Sequence, residues 1–294
     1  MTKHTLLDEI NRQHQTRYRL AGRLAGGRQD GADLLIDDAG GPQAVLKGAW
    51  APSAPAAIRR LRAAGYPTPA WLCWGTAPDG EQYLVQEFVA GEPMPRLTPG
   101  YLEQILALNR LQAGGNPDPG QRAGSWSEYA ANVVFANESG WADRLRGHSP
   151  ASAALMEAVD RLVAPHRGHA LPAGDIVHGD FNRDNILVAD GRITAVIDAS
   201  FAGHGTRAID LAGLLHFAYV HDEDAAIRGR LHAELLAIDG RAGRAVCLAY
   251  RIVTMAGWAL DHMPPASAGD FVRAGRRIAD DLRADGESGD LRKV

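Results

Sequence analysis

The run His178, Gly179, Asp180, Phe181, Asn182, Arg183, Asp184, Asn185, followed further on by Ile197 and Asp198, constrains this chain more than any other stretch. Two β-prone runs, Ile186-Leu187-Val188 and Ile193-Thr194-Ala195-Val196-Ile197, flank Ala189-Asp190-Gly191-Arg192. An Asp-Gly pair between such runs predicts a tight hairpin. If the chain folds back there, Asn185 and Asp198 come to the same mouth, with Asp180 in the loop just before it. A carboxamide and a carboxylate are hard oxygen donors. They suit a magnesium ion whose remaining ligands are waters and substrate phosphates.

The rest of the chain predicts two kinds of architecture in succession. Leu6, Leu7 and Ile10 give a short amphipathic helix, and strands are expected over residues 18–24, 32–37 and 43–47. A glycine-containing turn at residues 25–31 separates the first two, and its Gly26 and Gly27 would let backbone N–H groups approach a phosphate. A helix is expected over residues 54–64, then a strand pair, Trp71 to Trp74 and Gln82 to Phe88, around the turn Pro78-Asp79-Gly80. From about Thr98 onward the periodicity is helical. One face carries Leu102, Ile105, Leu106 and Leu111, and a later helix begins at Ile209 and Asp210 and runs through Tyr219.

His178-x-Asp180, with Asn185 and then Asp198 beyond a short hairpin, resembles the catalytic loop and metal loop of protein-kinase-like proteins. The His-Gly-Asp form is similar to that of the aminoglycoside phosphotransferase family of small-molecule kinases. The resemblance implies an α+β, two-lobed fold with an antiparallel sheet in the N-terminal lobe and a larger, mainly helical C-terminal lobe. It places the nucleotide-binding lobe at residues 1–90, a hinge at 91–97, and the catalytic and acceptor-binding lobe at 98–294. It also implies roles. Asp180 would orient the acceptor hydroxyl and take its proton, and Asn185 and Asp198 would hold Mg2+ on ATP or GTP. Gln43-Ala44-Val45-Leu46-Lys47 is similar to the kinase strand whose lysine pairs with the phosphates, so Lys47 is the expected cation. Backbone groups around Glu87, Phe88 and Val89 would meet the base. His178 would orient the loop, and Asp210 would brace it. The helical lobe would supply the acceptor pocket, with Ser200, His204, Asp222, Glu223, Asp224 and Asp261 as candidate lining groups for a cationic, hydroxylated antibiotic. An aminoglycoside and a basic cyclic peptide of the viomycin and capreomycin kind are both compatible, as is a sugar or choline-like metabolite.

One departure stands out. Kinases carry a glutamate on the helix after the lysine strand, yet no Asp or Glu occurs between Lys47 and Asp79. Lys47 is then held by Asp198 and phosphate alone, or by an acid from elsewhere, or its role passes to an arginine of that helix. Two readings of other classes also follow from the sequence. A nucleotide-binding module with little catalysis would explain the missing acid and the irregular glycine loop. A metal hydrolase built on His178, Asp180, Asp198 and His204 would leave the Lys47 strand without a role. Protein kinase activity is disfavoured because no Ala-Pro-Glu segment follows Asp198.

Composition narrows the partners. A formal net charge of −4 over 294 residues gives no basic field for nucleic acid or an anionic membrane. Cys73 and Cys247 match no metal or redox spacing and are expected to be buried and reduced. Charge interrupts the first residues, so no secretory signal is expected, and no apolar run is long enough to span a bilayer. Together these predict a cytoplasmic enzyme acting on a small molecule.

Overall fold

A computed structural model describes residues 2–24 and 31–290. By its contacts the chain divides into two compact units. The first comprises residues 1–93 with 185–202, and the second residues 94–184 with 203–294. Gly26 and Gly27 lie outside the described residues.

The chain opens with α1 (Lys3–His14), whose start is capped by the Thr2 hydroxyl accepting from the Thr5 N–H at 3.2 Å. Then follow β1 (Arg19–Arg23), β2 (Asp33–Ile36), β3 (Pro42–Lys47), α2 (Ala54–Ala63), β4 (Trp71–Thr76) and β5 (Gln82–Glu87). The five strands form an antiparallel sheet in the order β1-β2-β3-β5-β4. Alternation along the strands sends Leu35, Ala44, Leu46, Tyr83 and Val85 to one face, where they pack with Leu6, Leu7 and Ile10 of α1. The Tyr83 hydroxyl finishes the seam by donating to Gln13 Oε1 at 2.9 Å. In α2, Ile58 and Leu61 are buried while Arg59, Arg60 and Arg62 are exposed.

The two-residue strand β6 (Glu92–Pro93) was not expected from sequence. In the second unit the chain continues through α3 (Pro99–Leu111), α4 (Trp126–Phe135), α5 (Trp141–His148), α6 (Pro150–Val163) and β7 (Asp175–Val177). Leu102, Ile105 and Leu106 are buried as the pattern predicts, but Leu111 is 37% exposed. At roughly 100° per residue, Leu111 falls on the side of α3 opposite Leu102. Asn109 lies on the inner side instead, its amide donating to Gln112 Oε1 at 2.9 Å and to the Arg207 carbonyl at 3.1 Å. No sequence pattern flagged α5.

The segment returning to the first unit is the hairpin of β8 (Ile186–Ala189) and β9 (Arg192–Val196), with β6 paired to β8. Ala189 faces Arg192, so the loop has two residues, Asp190 and Gly191, with φ of 48° and 73°. Both positive angles mark the turn that an Asp-Gly pair favours. After it come β10 (Gly203–Gly205), which pairs with β7, and the helices α7 (Ala208–Val220), α8 (Ala225–His262) and α9 (Pro265–Asp290). Helix α7 is apolar almost all round and correspondingly buried. Helix α8 breaks at Asp239 and Gly240, where the backbone leaves helical angles. Among the described residues no helix is long and apolar enough to cross a membrane.

Candidate active site

The hairpin brings its two metal-site candidates to one mouth. The Ile197 N–H donates to the Asn185 carbonyl at 2.8 Å, one residue before Asp198. Asp198 has φ of 65°, in the left-handed region that Asp tolerates better than most residues. Its Oδ1 lies 3.0 Å from Lys47 Nζ. The lysine side chain is 16% exposed and the carboxylate 45% exposed. Lys47 therefore has a carboxylate partner although α2 carries no acid, and that partner is the Asp198 named in the first of the three alternatives. The arginine Arg62 turns elsewhere, toward the Thr68 carbonyl and the Glu87 carboxylate.

The loop that carries Asp180 is held from below. Asp210, 1% exposed at the start of α7, accepts from the His178 N–H at 2.7 Å, the Gly179 N–H at 3.0 Å and Gln112 Nε2 at 2.6 Å. Gln112 also donates to the Ile176 carbonyl at 3.1 Å. From α8, Arg251 reaches the Gly179 carbonyl at 3.4 Å. Gly179 has φ of 91°, and a Cβ there would come within 2.6 Å of Trp126 Cζ2, so the turn requires glycine. Buried His178 accepts the Asp180 N–H on Nδ1 at 3.3 Å and stands edge-on to buried Phe181. The Asp180 side chain is exposed, and Asn182 Nδ2 donates to its Oδ1 at 2.9 Å. Asn182 Oδ1 in turn accepts the Asp184 N–H at 2.9 Å. His178 thus holds the Asp180 backbone, and Asn182 holds one oxygen of its carboxylate.

The other candidates are more dispersed. The Glu87 N–H is used by the Ala70 carbonyl at 2.8 Å and the Phe88 N–H by the Gln43 carbonyl at 3.0 Å. Half-buried Val89 follows the end of β5. Ser200 is buried, its carbonyl accepting from Ala51 at 2.8 Å. His204 is half-buried in β10 opposite Ile176. Asp222 pairs with Arg277 at 3.1 Å and Arg228 at 3.6 Å. Glu223 binds Arg183 at 3.0 Å and the Leu97 N–H at 3.2 Å. Asp224 caps α8 through the Ala226 N–H at 2.7 Å, and Asp261 pairs with Arg144. Each of these four acids is engaged with groups of the protein itself.

Gln112, Arg251, Asn182 and Arg183 received no role from sequence. Arg251 did leave a signal, a charge within the apolar run 246–253, which marks a buried and partnered cation. Gln112 left none. Burial pushes the Cys73 thiol up to about 11 and raises Cys247 further, so neither is a nucleophile at neutral pH. Among the described residues no group of three or more His, Cys, Asp and Glu side chains is arranged to hold a metal. The cluster that the hydrolase reading requires is thus not found there. A magnesium ion shared with phosphate oxygens needs no such cluster, and the Asn185 and Asp198 oxygens fit that donor chemistry.

Solved structures agree with this architecture. The apo form of a thermostable mutant of aminoglycoside phosphotransferase APH(4)-Ia has a TM-score of 0.68 at 17% identity, over 97% of this chain and 99% of its own. Macrolide 2'-phosphotransferase MphH from Brachybacterium faecium has a TM-score of 0.56 at 20% identity, over 92% and 97%. APH(3'')-Id from Streptomyces rimosus has a TM-score of 0.51 at 19% identity, over 86% and 99%. These likenesses define the fold as protein-kinase-like. A search of curated protein sequences gives no match. Residues 51–247 match the sequence model of the phosphotransferase enzyme family, and the chain belongs to that family. It is a small-molecule kinase.

Proposed function

We propose that the chain transfers the γ-phosphoryl group of ATP to a hydroxyl of a cationic, hydroxylated antibiotic, an aminoglycoside in the first instance. The observation that carries this reading is the brace from Asp210, which accepts two hydrogen bonds from the His178–Gly179 backbone and a third from the Gln112 side chain and so orients the loop bearing Asp180. Asp180 positions the acceptor hydroxyl and receives its proton late, because a loose transition state asks little base strength. Asn182 keeps the carboxylate turned for that task. Lys47 supplies a fixed positive charge for the phosphates, and its pairing with Asp198 keeps that charge in place before nucleotide arrives. Asn185 and Asp198 are the residues that would hold Mg2+, which when bound neutralises charge on the phosphates.

Residues 1–90 serve the nucleotide in this reading, with base contacts near Glu87, Phe88 and Val89, and residues 98–294 serve the acceptor. The choice of donor is supported by APH(4)-Ia, which has been solved in ternary complexes with ADP or AMP-PNP and hygromycin B. The test is a panel assay. Purified protein, MgATP or MgGTP, and a set of aminoglycosides, macrolides, cyclic peptides, sugars and choline are incubated and scored for gain of one phosphoryl group by mass. Magnesium-dependent gain on an aminoglycoside is expected. Gain on a sugar or choline alone would reassign the acceptor, and no gain on any member would remove the proposal.

A further inference from the structure

Glu223 is by sequence a candidate carboxylate for a cationic acceptor, yet its side chain is bonded within the protein, to Arg183 and the Leu97 N–H. Its backbone is fixed by the end of α7. The Glu223 N–H donates to the Ala218 carbonyl at 2.8 Å and the Asp222 N–H to the Tyr219 carbonyl at 3.3 Å, with Asp222 at φ of 51°. This is the double-bonded helix terminus that usually ends in glycine, here closed by an aspartate. The next residue, Asp224, caps α8. Two helix ends therefore hold Glu223 on either side.

Its side chain points into protein. The carboxylate is 12% exposed and its partner Arg183 is 17% exposed. Glu223 Oε1 accepts from Arg183 Nη1 at 3.0 Å and from the Leu97 N–H at 3.2 Å. The same Nη1 donates to the Pro95 carbonyl at 3.2 Å, and the Arg183 carbonyl accepts from the Met94 N–H at 3.3 Å. Arg183 lies between Asp180 and Asn185, and Met94 to Leu97 directly follow β6. A half-buried charge pair with both partners bonded to backbone is worth more than a surface pair and fixes geometry as well. We infer that Glu223, acting through Arg183, is a positioning residue that sets the 180–185 loop in register with residues 94–97. This rests on the reading that Asp180 and Asn185 serve phosphoryl transfer. It assigns Glu223 to the loop and not to the acceptor.

Glu223→Gln tests this, since it keeps an oxygen for the Leu97 N–H and removes the charge that holds Arg183. The full chain is assayed for MgATP turnover to ADP with water as acceptor, and for hydrogen–deuterium exchange of the peptide covering residues 180–188. Misplacing catalytic groups by a fraction of an ångström should lower turnover about tenfold to a hundredfold. The Michaelis constant for MgATP should stay within about twofold, and the 180–188 peptide should exchange faster. Arg183→Met should do the same, and the double variant should be no worse than the worse single one. Wild-type exchange and turnover in Glu223→Gln would overturn the inference, as would additive losses in the double variant. Absence of ADP formation by the wild type with water and with every acceptor of the panel would instead sink the phosphoryl-transfer reading. The exchange experiment would then still decide whether Glu223 holds the loop.

Discussion

Replacing Asp210 by Asn probes the brace beneath the catalytic loop with almost no change of shape. The carboxylate is 1% exposed and accepts three hydrogen bonds, two on Oδ2 and one on Oδ1. An asparagine offers one side-chain oxygen. Placed where Oδ2 was, it keeps His178 and Gln112, while its amide meets the Gly179 N–H donor to donor. A buried N–H left without an acceptor costs about 1–3 kcal/mol, and two bonds that fall from charge-assisted to neutral lose about 1 kcal/mol each. Relief from burying a charge offsets part of this, leaving a destabilisation on the order of 2–4 kcal/mol. Turnover should fall about a hundredfold as Gly179 and Asp180 shift. Urea denaturation followed by tryptophan fluorescence measures the first, and MgATP turnover the second. An unfolding free energy within about 0.5 kcal/mol of wild type would refute the claim that this carboxylate holds the loop.

Further outcomes follow from the same structure. Gly179→Ala combines a left-handed φ with the approach to Trp126, and should destabilise by about 2–4 kcal/mol; an unchanged melting temperature would contradict it. Lys47→Met should cost about a hundredfold in turnover, and retention of wild-type kcat/KM for MgATP would move the phosphate-binding role to another cation. Burial, reinforced by Arg251 for His216 and by Arg244 for His232, pushes both imidazoles down to about 4 from 6.5. The unfolded chain then binds the extra protons, so stability is full above about pH 6.5 and falls toward pH 4 by on the order of 3 kcal/mol for each group. His232→Gln should flatten part of that slope in denaturation series between pH 7 and 5, and a wild-type slope already flat there would rule the mechanism out.

The parts of this molecule that were legible in the sequence are those that local chemistry decides. Asp190-Gly191 specified a two-residue turn, and the turn set the register that joins Asn185 to Ile197 and Asp198. The strand ending in Lys47 followed from its β-prone run and lies within the sheet as expected. What escaped was tertiary. Gln112 reaches Asp210 across 98 residues and Arg251 reaches Gly179 across 72, contacts that no local pattern encodes. Leu111 looked like a core residue by type but sits at the wrong helical angle. Strand β6 has two residues, one a proline, and exists only because β8 offers it an edge. The acidic run 222–224 allowed two sequence readings, a patch for a cation and the acidic start of a helix; Asp224 caps α8, while Asp222 and Glu223 pair with arginines that no local pattern pointed to.

The most direct test of the central claim is phosphoryl transfer by the wild-type chain and by Asp180→Ala, followed side by side with the same acceptor. With MgATP and the best acceptor from the panel, the wild type should yield the singly phosphorylated product. Asp180→Ala should lose turnover by about two to four orders of magnitude while binding nucleotide with wild-type affinity in a fluorescence titration. Phosphorylated product formed by Asp180→Ala at the wild-type rate would contradict the account.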